Sequence, residues 1–203
     1  MLFVLTVDDF GIEYVDKCHT LHLQQSLHKH YTIATDWDRT KFVGVNLDWT
    51  YANKHSYSKS HLSMKSYIEL FLLKYGHEKS SHSQLTPHKH WNIKYGAKQQ
   101  PIPDANTRTS LDAAEVKIIQ EILGALLYYT RAGNNNLLVA LSAIGDQQAA
   151  ATKSTAGAIK KFLDYVATYT NDGISYHASD MVLASHPDAG FHNESKGRSR
   201  AGA

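Results

Sequence analysis

Asp8 and Asp9 are the residues whose type and placement point most directly to chemistry. They follow an apolar run, Leu2-Phe3-Val4-Leu5-Thr6-Val7, and precede a second extended run, Gly11-Ile12-Glu13-Tyr14-Val15. Alternation on either side of a tight acidic connection predicts a β-hairpin with both carboxylates at its tip. Neighbouring carboxylates repel unless a positive charge sits beside them, and they are the hard oxygen donors that magnesium prefers. Two such ions stabilise the attacking and leaving oxygens of nucleotidyl transfer. On the dipeptide alone, a solvated Asp-Asp turn is the plainer account.

Other residues carry weaker signals. In Phe42-Val43-Gly44 the glycine leaves room for another backbone to approach, and a simple strand bulge would use the same residues. Lys29, between His28 and His30, could serve as a general acid, or merely end a helix where cations are favourable. The chain has 13 histidines. The spacing of His77, His82, His88 and His90 fits no zinc template: His-Glu-x-x-His is absent and Cys18 is alone, so a His-rich polar strap accounts for them better. Asp188 reads as an acid at a strand end. Lys196, Arg198 and Arg200 could meet phosphate, or form a disordered terminal run.

The elements that would position these groups follow from periodicity. Residues 18–30 read as an amphipathic helix, 31–35 and 41–49 as extended with an interruption at Gly44, and 55–64 as a strand. Helical spacing returns at 65–75 through Tyr67, Ile68, Phe71 and Leu72, with Gly76 as a stop. Residues 77–110 are polar and contain Pro87, Pro101 and Pro103, the mark of a linker or surface strap. Three helices are predicted beyond it, at 111–131, 134–148 and 153–169. Their apolar stripes run through Val116, Ile119, Leu123 and Leu126, then Leu137, Leu141 and Ile144, then Ile159, Phe162, Leu163 and Val166. Extended runs at 174–177 and 181–186 close the chain.

The bulk numbers exclude little. A length of 203 residues allows one sizeable domain or two small ones, and a net charge of +2 makes no global demand for a nucleic-acid partner. One cysteine excludes an internal disulfide and fits a reducing compartment. No apolar run approaches the roughly 18 residues of a membrane span, and the opening segment is too short for a signal peptide. An intracellular protein of the cytoplasm or nucleus, with no membrane partner, is expected. Because the first residue already reads as strand, a truncated chain is expected too.

In order along nearly its whole length, the sequence resembles the reverse transcriptase of copia-type retrotransposons, from the catalytic hairpin onward. Thr6-Val7-Asp8-Asp9 is similar to the aromatic-x-Asp-Asp motif of the polymerase palm. Phe42-Val43-Gly44-Val45 resembles the next hairpin, which grips the primer terminus in that family. His61-Leu62-Ser63-Met64 and the helix after it resemble the lead into the thumb. Gly124-Ala125-Leu126-Leu127-Tyr128-Tyr129 and Lys160-Lys161-Phe162-Leu163-Asp164-Tyr165 resemble parts of the connection segment. His186-Pro187-Asp188-Ala189 resembles the opening of the ribonuclease H domain.

The resemblance implies an α+β fold. Residues 1–76 would form a partial palm with a thumb-like helix, 77–110 a strap, 111–172 a helical connection segment, and 173–203 the first strands of a ribonuclease H-like unit. It implies RNA-directed DNA polymerisation in the parent enzyme, with Asp8 and Asp9 as catalytic magnesium ligands. Phe42, Val43 and Gly44 would be the primer grip and Asp188 an acid of an incomplete ribonuclease H site. An RNA or DNA primer–template would be the partner, together with a missing polymerase half in cis or in trans. The chain departs from the family pattern at Thr6 and at Arg131-Ala132-Gly133-Asn134, and it lacks the upstream carboxylate and fingers. No independent activity and only feeble magnesium binding are therefore expected. The alternatives are a non-catalytic nucleic-acid-binding remnant, using Lys94, Lys98, Arg108 and Lys196, or a decayed element fragment.

Overall fold

The computed structural model describes residues 1–53, 56–89, 109–180, 182, 184–190 and 200–202. Within them the chain is a mixed α+β protein whose strand pairs are all antiparallel. The opening hairpin forms as its alternation predicts: β1 (Leu2–Thr6) pairs with β2 (Asp9–Glu13), and Thr6 faces Asp9 across a two-residue turn. Helix α1 (Lys17–His28) follows, capped by the Asp16 carboxylate accepting the Cys18 N–H at 2.9 Å. Its apolar stripe is only half-buried, and Thr20 is its one buried residue.

Residues 31–35 are not a strand. The loop they begin is organised instead by Asp36, whose carboxylate accepts the N–H groups of Asp38, Thr40 and Lys41 and the Thr40 hydroxyl. An aspartate that satisfies its own loop offers the backbone an alternative to a strand ladder. These donors, the Thr40 hydroxyl foremost, hold the Asp36 carboxyl below the usual aspartate value.

The extended run expected at 41–49 is itself a hairpin, bent at Val43-Gly44 between β3 (Lys41–Phe42) and β4 (Val45–Asn53). β4 pairs with β5 (Ser56–Ser63), and α2 (Lys65–Lys74) leaves β5 directly. After the strap come α3 (Ala113–Ala132), α4 (Leu138–Gly145) and α5 (Lys153–Thr168). A capping box of Asp112 and Glu115 starts α3.

Two expectations about the last part of the chain need correction. β6 (Gly173–His177) does not open a separate unit; it pairs with β5 and completes a four-stranded sheet in the order β3-β4-β5-β6. The described residues of 181–186 are not strand, and the next strand, β7 (Asp188–Gly190), pairs with β8 (Arg200–Gly202).

One core crosses the boundaries expected at 76 and 111. Val45, Met64, Ile68, Phe71 and Leu72 of the front half share a cluster with Ile119, Leu126, Tyr129, Leu137, Leu141, Phe162 and Val166. Fully burying a side chain of this kind stabilises by about 1.5–3 kcal/mol, so this cluster is where the fold is held. The strap begins docked against α5. His77 Nε2 lies 3.0 Å from Asp164 Oδ1, both largely buried, and the Gln84 N–H donates to the Thr168 hydroxyl.

Candidate active site

The β1–β2 turn carries Val7 at φ 56, a left-handed conformation that a β-branched residue adopts only under strain. Asp8 occupies the turn and Asp9 opens β2, and both are exposed. The second candidate segment meets the first here. The Val43 N–H donates to Asp9 Oδ2 at 3.1 Å, across 34 positions of sequence. One residue away, the Phe42 ring packs over Gly11 so closely that a Cβ there would lie 3.3 Å from its edge. Asp8, Asp9, Phe42, Val43 and Gly44 therefore belong to one place in the fold.

The Val43-Gly44 turn has φ of 48 and 75, the sign pattern of a type I′ hairpin turn. Glycine takes this conformation freely; valine pays about 1–2 kcal/mol for it, so other contacts must hold the turn. One of them comes from α3. The Tyr128 hydroxyl donates to the Val43 carbonyl, so both polar backbone groups of Val43 are engaged. Tyr128 in turn rests edge-on against Tyr67 of α2, with ring centroids 5.7 Å apart. Tyr67 donates its own hydroxyl to the Ala125 carbonyl at 3.0 Å. Burial, and after it the nearby Tyr128, push the Tyr67 phenol above the usual tyrosine value, which keeps it a neutral donor.

Asp8 and Asp9 are two hard oxygen donors on an exposed tip, with Asp9 Oδ2 already engaged by Val43. Among the described residues no group of three or more His, Cys, Asp or Glu side chains is placed to hold a metal ion. If magnesium were held here, Asp8 and Asp9 would be the residues to supply its protein oxygen ligands.

The remaining candidates lie elsewhere. Lys29 is the exposed C-cap of α1. His77 is committed to Asp164, and His82 Nδ1 lies 3.0 Å from the Ser81 hydroxyl. Asp188 opens β7 in register with Gly202, and Arg200 begins β8. His90, Lys94, Lys98, Arg108, Lys196 and Arg198 lie outside the described residues.

Sequence reasoning missed Tyr128. Tyr128 and Tyr129 are adjacent, but only Tyr129 falls on the buried stripe of α3, which leaves Tyr128 turned toward the sheet. A second cluster was also missed, in which cations meet aromatic faces beside the Asp36 loop. Lys17 Nζ sits 4.0 Å above the Trp37 ring, and the Arg39 guanidinium lies 5.8 Å from both Trp49 and Tyr51.

Against known protein families, curated proteins and solved structures, the chain gives no match. Among the described residues, no helix is long and apolar enough to cross a membrane.

Proposed function

We propose that the chain is part of a copia-type retrotransposon reverse transcriptase: the palm from its catalytic hairpin onward, the start of the thumb, the connection segment and, only beyond β6, at His186-Pro187-Asp188-Ala189, the opening of a ribonuclease H-like unit. The observation that carries this reading is the Asp9–Val43 contact. The two segments that the resemblance names as catalytic hairpin and primer grip lie far apart in sequence, and they meet at that hydrogen bond.

In this reading Asp8 and the open oxygen of Asp9 hold magnesium at the hairpin tip. The Val43-Gly44 turn lies beside them, where it orients the end of a primer strand. When bound, magnesium supplies the charge that stabilises the attacking and leaving oxygens as a primer 3′-hydroxyl displaces pyrophosphate. Two carboxylates alone hold this ion poorly, because it dehydrates reluctantly. Calorimetric titration of the chain with magnesium is expected to give a dissociation constant no tighter than the millimolar range. Tighter binding, lost in Asp8→Asn, would overturn the view that the site is incomplete.

The opening hairpin supports the same proposal from another direction. Leu2, Phe3, Val4 and Leu5 are each more than half exposed, although they form the most apolar strand of the chain. A two-stranded hairpin with both faces open is marginal by itself, and the missing polymerase half would cover it. The deciding test is the reading frame upstream of the Met1 codon, paired with primer extension by the purified chain. An open frame supplying a third aspartate and fingers, with no extension by this chain alone, is expected. Stop codons or unrelated sequence upstream would sink the reading.

The cation–aromatic cluster around Trp37, Arg39 and Trp49 favours one alternative, a non-catalytic nucleic-acid-binding remnant. Magnesium-independent, salt-sensitive binding of primer–template, with no upstream polymerase frame, would decide for it. Asp36 and Asp38, within three residues of Arg39 in sequence, weigh against strong phosphate binding.

A further inference from the structure

We propose that Tyr128 is a positioning residue for the Asp8–Asp9 carboxylates, acting through the Val43-Gly44 turn; the proposal rests on the reading of those aspartates as ion ligands. The β1–β2 hairpin has little core of its own, since β1 is exposed along nearly its whole length. Its orientation against the rest of the protein depends on local ties, and the hydrogen bond from the Val43 N–H to Asp9 is the one that reaches a carboxylate. That donor is available only while Val43 stays left-handed at φ 48. The Tyr128 hydroxyl holds the carbonyl of the same residue.

A chain of contacts thus runs from the helical core to the carboxylate: α2 through Tyr67, α3 through Tyr128, the turn at Val43, then Asp9. Each member has its own reason to hold. Tyr67 is tied to the α3 backbone at Ala125, so the surface against which Tyr128 rests is fixed. The direction of control is from helix to hairpin, because α3 carries the buried residues Ile119, Leu126 and Tyr129 whereas the hairpin carries none.

The test is amide hydrogen exchange with NMR of the full chain, comparing wild type, Tyr128→Phe and the double variant Tyr128→Phe/Val43→Asn. Phenylalanine keeps the ring against Tyr67 and removes only the hydroxyl. Exchange at the Val43 amide is expected to speed up by about five- to tenfold, the loss of one hydrogen bond, and the Asp9 carboxylate signal to move. Amides in the middle of α3 and α5 should keep their protection. Asparagine at 43 tolerates the left-handed turn that valine resists, so the double variant is expected to restore both the protection of the amide at position 43 and the Asp9 signal.

An unchanged Val43 amide in Tyr128→Phe, or equal acceleration throughout α3 and α5, would overturn the proposal. So would failure of Val43→Asn to restore the signal. Manganese added to the wild type separates this from the underlying reading. Selective broadening at residues 7–10 supports ion binding there. Its absence removes the ligand role, and with it the functional consequence of the clamp, while the exchange data still report whether the clamp exists.

Discussion

Leu163→Asp is expected to abolish the cooperative unfolding transition of this protein. Leu163 is 5% exposed on the inner face of α5, beside Phe162 and Val166 in the core that joins the sheet to the helices. A carboxylate there has no hydrogen-bonding partner in an apolar cluster, so the side chain must either stay neutral or drag water inward. Either outcome costs several kcal/mol, and single domains have only about 5–15 kcal/mol in total. Leu123→Asp, on the buried stripe of α3, should do the same. Val139→Asp is the matched control, because Val139 on α4 is 65% exposed and the change should lie within about 0.5 kcal/mol. Urea titrations followed by far-ultraviolet circular dichroism read all three. An unaltered midpoint in Leu163→Asp would mean that α5 does not present this face to the core.

Gly173→Ala should break the join between β5 and β6. A Cβ at position 173 would lie 2.0 Å from the Leu62 carbonyl oxygen and 2.9 Å from two ring atoms of His61. The imidazole can swing away, although that forfeits its 3.1 Å contact with the Ser175 hydroxyl. The carbonyl cannot, because Leu62 is paired with Ile174 on one side and Leu47 on the other. The strand must therefore move, at a cost of about 1–3 kcal/mol. Faster amide exchange along 174–176 together with a lowered melting temperature would show it. Gly157→Ala makes the contrast: nothing lies within 4 Å of a Cβ there, and α5 gains up to about 1 kcal/mol in helix propensity. If both substitutions behaved alike, the close approach of β5 to Gly173 would be wrong.

These two sites differ in how visible they are in sequence. Leu163 announces itself through spacing, since Ile159, Phe162, Leu163 and Val166 recur along one helical face and are all buried. Gly173 has no such signature; an isolated glycine at a strand start is as ordinary in a loop as under a neighbouring carbonyl. The same contrast holds at the candidate site. An acidic pair between two extended runs is legible as a hairpin tip, and Gly44 as a break in an extended run. That Val43 donates to Asp9 is not legible, because it depends on how two hairpins pack after folding.

Where local reading failed, a competing local or long-range interaction was responsible. Residues 31–35 have strand-like composition, but Asp36 satisfies the loop backbone that follows and no neighbouring strand recruits them. The domain boundaries expected at 76, 111 and 173 follow texture changes along the chain. The core ignores texture, because apolar faces bury against whichever faces the topology presents, here α2 and the sheet against α3 to α5.

By itself the sequence determined the buried faces of α2 to α5, the opening hairpin and its acidic tip, because periods of 3.6 and 2 and turn chemistry are local properties of the chain. Only the tertiary structure decided that β6 closes the front sheet, that one core spans the chain, and that Tyr128 reaches Val43 and Val43 reaches Asp9. The strand pairing and both hydrogen bonds need a backbone group to meet its partner across tens to more than a hundred positions of sequence, and every residue except proline offers the same N–H and C=O, so residue type at the backbone end does not mark which will meet.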